Sequence, residues 1–327
     1  MKGIDMAGRN RDKREGNGVP IWVHLLIIAL IIGVIAFVAI KLSIWNKGVT
    51  IDTSDVDASE YDVELLDQIF VLTEDKLEGH EDDGEETILV LGNDAVTYDS
   101  SDTGVCAQIA AKTGANVINA GFPSSNISLK NAEYDDSYSL DRFSFYNVAS
   151  SISEGDFSQM LETAKGYDDY AYTLNTYNLA DLDFNKVDTL VIYYDATDYI
   201  NLRPGMNPGN EADSMTYMGA LDSGIKMIQE KYPFIRIVCM SFTFCYAYDT
   251  DGSLKNGDRV DFGNGKLTTY LQHMIDVCGD TGVSFVDNYY GTIDEGNSSE
   301  YMLDNIHVNQ ACNEHIAAHF AEVIYGK

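Results

Sequence analysis

Short apolar runs alternate with amphipathic segments along most of the chain. Runs of this length, set between turn residues, are typical of strands that are buried on both faces of a sheet. Each run therefore predicts a buried strand. The five runs lie at residues 87–91, 116–119, 189–194, 235–241 and 283–286.

Two segments between these strands have their apolar residues on one side of a helix. In residues 267–278 the apolar positions fall at i, i+3, i+4, i+7, i+8 and i+11, which is a one-sided helical stripe. Residues 217–232 repeat the pattern and end before Pro233, where a helix is expected to stop. Alternating strands and helices predict a parallel sheet covered on both faces by helices, within a single domain.

Three further segments do not follow this alternation. Residues 126–187 are rich in Tyr, Asp and Ser, and an insertion of this length is usually a lid or a binding loop. Residues 246–265 are shorter and contain Asp249, Asp251 and Gly252, which we interpret as a plain turn because the later ligands of a calcium loop are absent. Residues 43–86 are acidic and predict a stalk with one short helix around 61–72.

The longest apolar run lies near the N-terminus. Residues 21–40 contain no charged side chain, and about 20 such residues are enough to cross a bilayer as a helix. Residues 1–19 carry five Lys/Arg against three Asp/Glu, which favours a cytoplasmic N-terminus. We predict a cytoplasmic basic tail at 1–20, an uncleaved transmembrane signal anchor at 21–42 and an extracytoplasmic remainder. The alternative is a buried core helix, but such helices rarely lack a polar face over this length.

The acidic composition of the chain limits which classes of molecule it can bind. The chain has a net charge of −31, and residues 48–327 carry 14 Lys/Arg against 49 Asp/Glu. Because nucleic acids and anionic lipids are bound by basic patches, this composition excludes nucleic acid as a partner. The five cysteines are scattered with no C-x-x-C pair, so they predict either buried free thiols or one or two disulfides.

The most informative motif lies close to the C-terminus. Asp304 and His307 are three residues apart and precede a last helical segment. A short turn can aim both side chains at one point above a sheet, where they would form the acid and base of a hydrolytic triad. The first strand, in contrast, is followed by Gly92-Asn93-Asp94 without a serine.

From about residue 87 to the C-terminus, the layout resembles the SGNH/GDSL hydrolase family. Four blocks carry the resemblance, at 92–94, 119–124, 195–198 and 304–307. The resemblance implies a flavodoxin-like sheet. The predicted fold class is therefore α/β, a flavodoxin-like three-layer sandwich with about five parallel strands, preceded by one N-terminal transmembrane helix. The predicted SGNH-like domain spans 87–327 and includes the Tyr-rich insertion.

The last block alone matches the family pattern fully. By alignment, Asp94 stands where the family has its nucleophilic serine, and the resemblance makes Asp304 and His307 the acid and base. Ser124 then replaces the oxyanion-hole glycine, and Thr197 replaces the oxyanion-hole asparagine. A carboxylate at 94 has no proton to give to His307 at neutral pH. Loss of the asparagine removes one directed oxyanion donor, so the replacements argue against ester hydrolysis.

Three hypotheses follow for the extracytoplasmic domain. The first is a pseudoenzyme whose cleft, roofed by the Tyr-rich insertion, binds an acylated cell-surface glycan; otherwise these tyrosines form the insertion's own core. The second is an active esterase or O-acyl transferase on cell-surface polysaccharide, with a relocated nucleophile. The third is a metal site at Asp94, Asp304 and His307; no other cofactor is predicted. The candidate nucleophiles are Asp94, Ser100, Ser101, Ser124 and Ser125.

Overall fold

A computed structural model describes residues 65–80 and 82–327, together with seven helical positions between 22 and 34. The chain divides into two compact units, Met1–Asp62 and Val63–Lys327. The tail predicted at 1–20 and the anchor predicted at 21–42 lie outside the described residues apart from those seven positions, so both stay predictions. Among the helices in the described part of the chain, none combines the length and the apolar character that a membrane span needs.

A five-stranded parallel sheet forms the centre of the second unit. The described residues form seven strands in all, five of which belong to this sheet. They are β1 (Thr87–Gly92), β2 (Asn116–Asn119), β3 (Thr189–Tyr193), β4 (Arg236–Met240), β5 (Tyr246–Tyr248), β6 (Leu254–Asn256) and β7 (Ser284–Val286). The sheet order is β2-β1-β3-β4-β7, which is the flavodoxin-like order. The five predicted strands are confirmed to within one or two residues at each end. Strands β5 and β6 form a separate antiparallel hairpin, and the predicted turn around Gly252 joins them.

Helices cover both faces of this sheet. The helices are α1 (Asp94–Thr97), α2 (Val105–Thr113), α3 (Phe145–Glu154), α4 (Ser158–Ala164), α5 (Tyr170–Asp181), α6 (Thr197–Ile200), α7 (Tyr217–Lys231), α8 (Leu267–Thr281), α9 (Ser298–Tyr301) and α10 (Gln310–Tyr325). Helix α7 packs against α3 and α8, whereas α10 packs against α2. The connection from β1 to β2 and the connection from β3 to β4 lead in opposite directions along the sheet. Because both crossovers are right-handed, the helices α2 and α10 lie on one face and the helices α3, α7 and α8 lie on the other. The predicted three-layer α/β architecture is confirmed.

The Tyr-rich insertion folds as helices rather than as an open loop. Helices α3 to α5 and a 3₁₀-helix at Asp136–Phe143 account for most of it. Tyr172 is buried in the core and donates a hydrogen bond to the carbonyl of Pro123 at 2.5 Å. Asn175 donates to the carbonyl of Gly121 at 2.5 Å. The insertion therefore fixes the loop after β2, and its core tyrosines serve packing, whereas Tyr170 and Tyr177 are exposed.

The helix predicted around 61–72 is wrong for the residues that the structure describes there. No helix forms in residues 65–72, and Gln68 forms an antiparallel bridge with Phe285 of β7 through hydrogen bonds of 2.9 and 2.8 Å. The carboxylate of Asp67 accepts a hydrogen bond from the backbone N–H of Asp287. The segment pairs with an edge strand that would otherwise expose its backbone groups, and this tertiary pairing overrides the weak helical pattern.

All five cysteines are free thiols. Cys239, Cys245, Cys278 and Cys312 are buried, and Cys106 is partly buried. Burial raises the pKa of the Cys106 thiol to about 12, because a thiolate is poorly solvated in an apolar surrounding. Of the two alternatives that the sequence left open, the structure has the packed thiols.

Substituting Gly92 should test how tightly β1 and β3 approach each other. A Cβ at this position would lie 2.2 Å from the carbonyl oxygen of Tyr193 and 2.8 Å from a methyl of Val96. We expect Gly92→Ala to lower the free energy of unfolding by about 1–3 kcal/mol, the usual cost of overpacking. Urea unfolding followed by circular dichroism measures the change.

The matched control is Gly279→Ala. Gly279 lies inside α8, and a Cβ there would have no neighbour within 4 Å. Removing a helical glycine should stabilise the protein by up to about 1 kcal/mol. Equal effects of the two substitutions would contradict the close approach at Gly92.

Candidate functional site

The tips of β1 and β3 are joined by Asn93, which is fully buried. Its side-chain amide donates to the Asp195 carboxylate at 2.7 Å and to the Ser125 carbonyl at 3.1 Å. Its side-chain oxygen Oδ1 accepts a hydrogen bond from the backbone N–H of Asp195 at 3.0 Å, and it caps α1 by accepting from the backbone N–H of Ala95 at 3.2 Å. The bonds to Asp195 and Ser125 are buried, so they hold the two strand tips in one arrangement.

Asp94 opens α1 at the position that the resemblance assigns to the nucleophile. One of its carboxylate oxygens accepts the backbone N–H of Ser124 at 2.8 Å. Ser124 is exposed and adopts a left-handed conformation with φ of 57°, uncommon for a residue with a side chain. The backbone N–H expected to stabilise an oxyanion is thus bound to a carboxylate of the protein itself.

Asp304 and His307 form the hydrogen-bonded pair that the motif predicts. The Nδ1 atom of His307 lies 2.6 Å from a carboxylate oxygen of Asp304. The other oxygen of Asp304 accepts the backbone N–H groups of Ile306 and His307. Burial raises the pKa of Asp304, but these bonds outweigh it and hold the pKa below its usual value. The ring of Tyr98 stacks on His307 with centroids 3.9 Å apart, so the imidazole is held on two sides.

Asp195 is the site residue that sequence reasoning missed. One of its oxygens accepts from Asn93 and from both the N–H and the hydroxyl of Thr197. Burial raises the pKa of Asp195 to about 6, the charge of Asp94 adds to this rise, and the hydrogen bonds from Thr197 and Asn93 oppose it. A signal was present in the sequence. Gly92 pairs with Tyr193, and an aspartate follows each of these two residues by two positions.

Thr197 and Asp198 make contacts other than those expected of an oxyanion hole. The Thr197 hydroxyl donates to Asp195 at 2.5 Å, so it is occupied within the protein. Asp198 is buried and accepts two backbone N–H groups and the hydroxyl of Ser128. The aspartate therefore ties the loop after β3 to the loop after β2, and it has a structural role.

A cavity of about 20 Å³ lies where Asp94, Asp195 and His307 meet. One potential ligand atom from each of these three residues lies within 4.8 Å of the others. Three residues that line the small cavity carry a hydroxyl group, namely Tyr98, Tyr193 and Thr243. None of these hydroxyl groups forms a hydrogen bond with the His307 ring. The candidate nucleophiles Ser100, Ser101, Ser124 and Ser125 do not line it.

Asp94 and His307 line the same cavity without forming an ion pair with each other. Among the described residues, His307 has its only ion-pair contact within 4.0 Å with Asp304. The structure thus brings together Asp94, Asp304 and His307, and it adds Asp195. Ser124 and Thr197 contact the carboxylates rather than the cavity. No hydroxyl of the described residues hydrogen-bonds to the His307 ring, which is the contact that the nucleophile of a triad makes with its base.

A second and larger cavity has a volume of about 470 Å³. Phe244, Tyr289 and Tyr290 supply aromatic surface to its wall. The carboxylates of Asp258, Asp294 and Glu295 line it as well. Its volume falls within the range of small-ligand sites, and a mixed aromatic and polar lining is usual for them.

Comparisons with known proteins were made by sequence and by structure. No family model matches the chain, and no curated protein matches it. One solved structure has a TM-score of 0.52 at 20% identity, covering 74% of this chain and 97% of its own. A carbohydrate acetylesterase from Sinorhizobium meliloti has a TM-score of 0.43 at 10% identity, covering 74% of this chain and 99% of its own. A structure described as a GDSL-like lipase from Parabacteroides merdae has a TM-score of 0.44 at 13% identity, covering 74% and 97%.

Sequence identities this low bear on the fold alone. The chain shares with the first of these structures a three-layer α/β fold, which is the fold that the resemblance to SGNH/GDSL hydrolases predicts. The sheet order and the positions of the four motif blocks at its carboxyl edge agree with that assignment. Activity has to be argued from the residues of the site itself.

Replacing Asp195 should remove a pH dependence of stability. Because the pKa of Asp195 is raised to about 6 in the folded protein against 3.8 as its ordinary value, the folded state binds this proton more tightly. Its contribution to the free energy of unfolding is therefore greatest below about pH 4 and is lost as the pH rises through about 6. We expect a loss on the order of 2 kcal/mol in the wild type, and none from this group in Asp195→Asn.

Urea unfolding with EDTA present, at several values from about pH 4 to about pH 7, measures this difference. Asp280→Asn is the control, because Asp280 is exposed near the end of α8. The control should follow the wild-type profile. A wild-type profile shared by Asp195→Asn would show that the carboxylate is not buried as described.

Proposed function

We propose that the protein is a membrane-anchored, extracytoplasmic member of the SGNH fold class that binds a cell-surface glycan without hydrolysing its ester groups. The single observation that carries the proposal is the carboxylate of Asp94 at the nucleophile position, held by the N–H of Ser124. The carboxylate of Asp94 occupies the position of the nucleophile, and it also binds a backbone N–H that the resemblance assigns to the oxyanion hole.

The electrostatics of the small cavity support the absence of hydrolysis. A tetrahedral intermediate carries a developing negative charge, and hydrolases stabilise it with directed hydrogen-bond donors. Here Asp94 and Asp195 line the cavity, and its lining contains no Lys or Arg. Two carboxylates beside the reacting carbon would repel the oxyanion instead of stabilising it.

The larger cavity supports binding of a glycan. Tyr290 is 37% exposed, and Tyr289 packs against it edge to face at 5.1 Å. Aromatic surface favours the apolar faces of sugar rings, while carboxylates such as Asp258 and Glu295 accept hydrogen bonds from sugar hydroxyls. This placement replaces the earlier expectation of a cleft roofed by the Tyr-rich insertion, since no residue of 126–187 lines this cavity.

The proposed location is supported by the sequence. Residues 21–40 are free of charge, and the basic residues cluster before them. A single anchor helix with its N-terminus in the cytoplasm would place the SGNH-like domain outside the membrane. Glycans of the cell surface would then be accessible to the larger cavity.

Binding and turnover can be separated in one experiment. We expect the full-length protein in detergent to bind an acetylated cell-wall glycan without releasing acetate. Tyr290→Ala should weaken binding roughly 5-fold, because it removes an aromatic contact. Isothermal titration calorimetry measures the binding, and an acetate assay on the same samples measures the turnover.

Tyr177→Ala is the matched control, because Tyr177 is 52% exposed and lies on the insertion. Its affinity should equal that of the wild type. The alternative function, an active esterase, is favoured by the intact hydrogen bond between Asp304 and His307. Acetate release that His307→Ala abolishes would establish that alternative, and absence of binding across a glycan panel would overturn the proposal.

A further inference from the structure

Each of the three side chains that meet at the small cavity has one heteroatom held by the protein. Asp94 is held through Ser124, and Asp195 through Asn93 and Thr197. In both aspartates these bonds involve a single carboxylate oxygen, which leaves the second one available. His307 is held at Nδ1 by Asp304, which leaves Nε2 available. Such outer contacts orient metal ligands in known sites, and a carboxylate bonded to the second nitrogen of a ligating histidine is one of them.

One carboxylate oxygen of Asp195 has no hydrogen-bond partner among the residues that the structure describes, which indicates that a bound ligand could contact it. Asp195 is only 8% exposed and lines the small cavity. Its Oδ2 atom is buried and has no hydrogen-bond partner. An unpaired buried carboxylate oxygen is costly, and a cation in the cavity would offset that cost.

Size and charge define which partner fits. About 20 Å³ accommodates one water molecule or one ion and excludes a sugar ring. Asp94 and Asp195 bring two carboxylates to this space, and its lining contains no Lys or Arg. The third carboxylate in the lining, Asp99, has both oxygens bonded to Ser101 and Thr103. The space therefore favours a small cation with two carboxylate ligands.

We infer that Asp94, Asp195 and His307 form a binding site for one divalent transition-metal ion, with Asp304 as the residue that positions His307. Two carboxylates and one imidazole are ligands that Zn²⁺, Mn²⁺ and Co²⁺ accept. The ligand atoms lie within 4.8 Å of one another, and ligands at about 2.1 Å from one ion are at most about 4.2 Å apart. Small rotations of the side chains close this difference. Three protein ligands leave a coordination position open to the cavity.

This site differs from the triad-based metal hypothesis in one ligand. Asp304 holds the histidine from behind at Nδ1, and Asp195 supplies the carboxylate. The inference does not depend on glycan binding, because the larger cavity is lined by other residues. Failure of one proposal would leave the other standing.

Titration with Co²⁺ tests the site in the full-length protein after EDTA treatment and dialysis. We expect about one Co²⁺ per chain, with visible absorption bands and without a thiolate charge-transfer band, which separates this site from the cysteines. Asp195→Asn and His307→Ala should each weaken binding more than 100-fold, whereas Asp304→Asn should weaken it roughly 10–100-fold as a second-sphere change. Competition by Zn²⁺ should displace the cobalt spectrum.

Two controls keep the test decisive. His315→Ala removes an exposed histidine of α10 and should leave the titration unchanged. Asp195→Asn keeps the hydrogen bonds of Oδ1 and removes a buried charge, so urea unfolding should find it at least as stable as the wild type above about pH 6. Loss of binding in that folded variant supports the site. Absence of Co²⁺ and Zn²⁺ binding by the wild type, or binding that survives both Asp195→Asn and His307→Ala, would overturn it.

Discussion

The parallel pairing of β1 with β3 is the constraint on which the site depends. Gly92 lies opposite Tyr193 in this pair, so the residues that follow them emerge side by side at the carboxyl edge of the sheet, where flavodoxin-like folds place their ligands. Asn93 fixes both tips through buried hydrogen bonds. Asp94 and Asp195 are consequently held beside one cavity whose lining contains no Lys or Arg.

One physical fact has two consequences for function. In the function that we propose, a pair of carboxylates disfavours ester hydrolysis because it repels an oxyanion, and the same pair attracts a cation. The acid–base couple of Asp304 and His307 keeps the geometry of a triad, although its neighbour is now an acid. The hydrogen bond from Asp304 to Nδ1 orients the imidazole as a general base requires, and it also leaves Nε2 free to bind a metal.

The surrounding structure reinforces this arrangement. Helix α5 bonds to the loop after β2 through Tyr172 and Asn175. The same loop carries Ser124, whose N–H holds Asp94. The Tyr-rich insertion therefore supports the loop that carries Ser124.

The central sheet was predictable because buried strands have continuous apolar runs, and the terminal couple was predictable because three residues span a short turn. The segment around Gln68 was not, since its pairing with Phe285 joins residues far apart in sequence. Asp195 was overlooked because alignment to a family pattern directed attention to Thr197, whereas strand register determines which side chain meets Asp94. The register of paired strands is set by packing across the sheet, so a local sequence motif does not reveal it.

A double-mutant cycle between Asp94 and Asp195 tests the account most directly. The free energy of unfolding of the wild type, Asp94→Asn, Asp195→Asn and the double variant would be measured by urea titration at about pH 8 with EDTA present. If the two carboxylates share one cavity, neutralising either relieves the same repulsion, so the two effects should fall short of additivity by about 1 kcal/mol. Effects that add to within about 0.3 kcal/mol would place the carboxylates too far apart and contradict the convergence of the two strand tips.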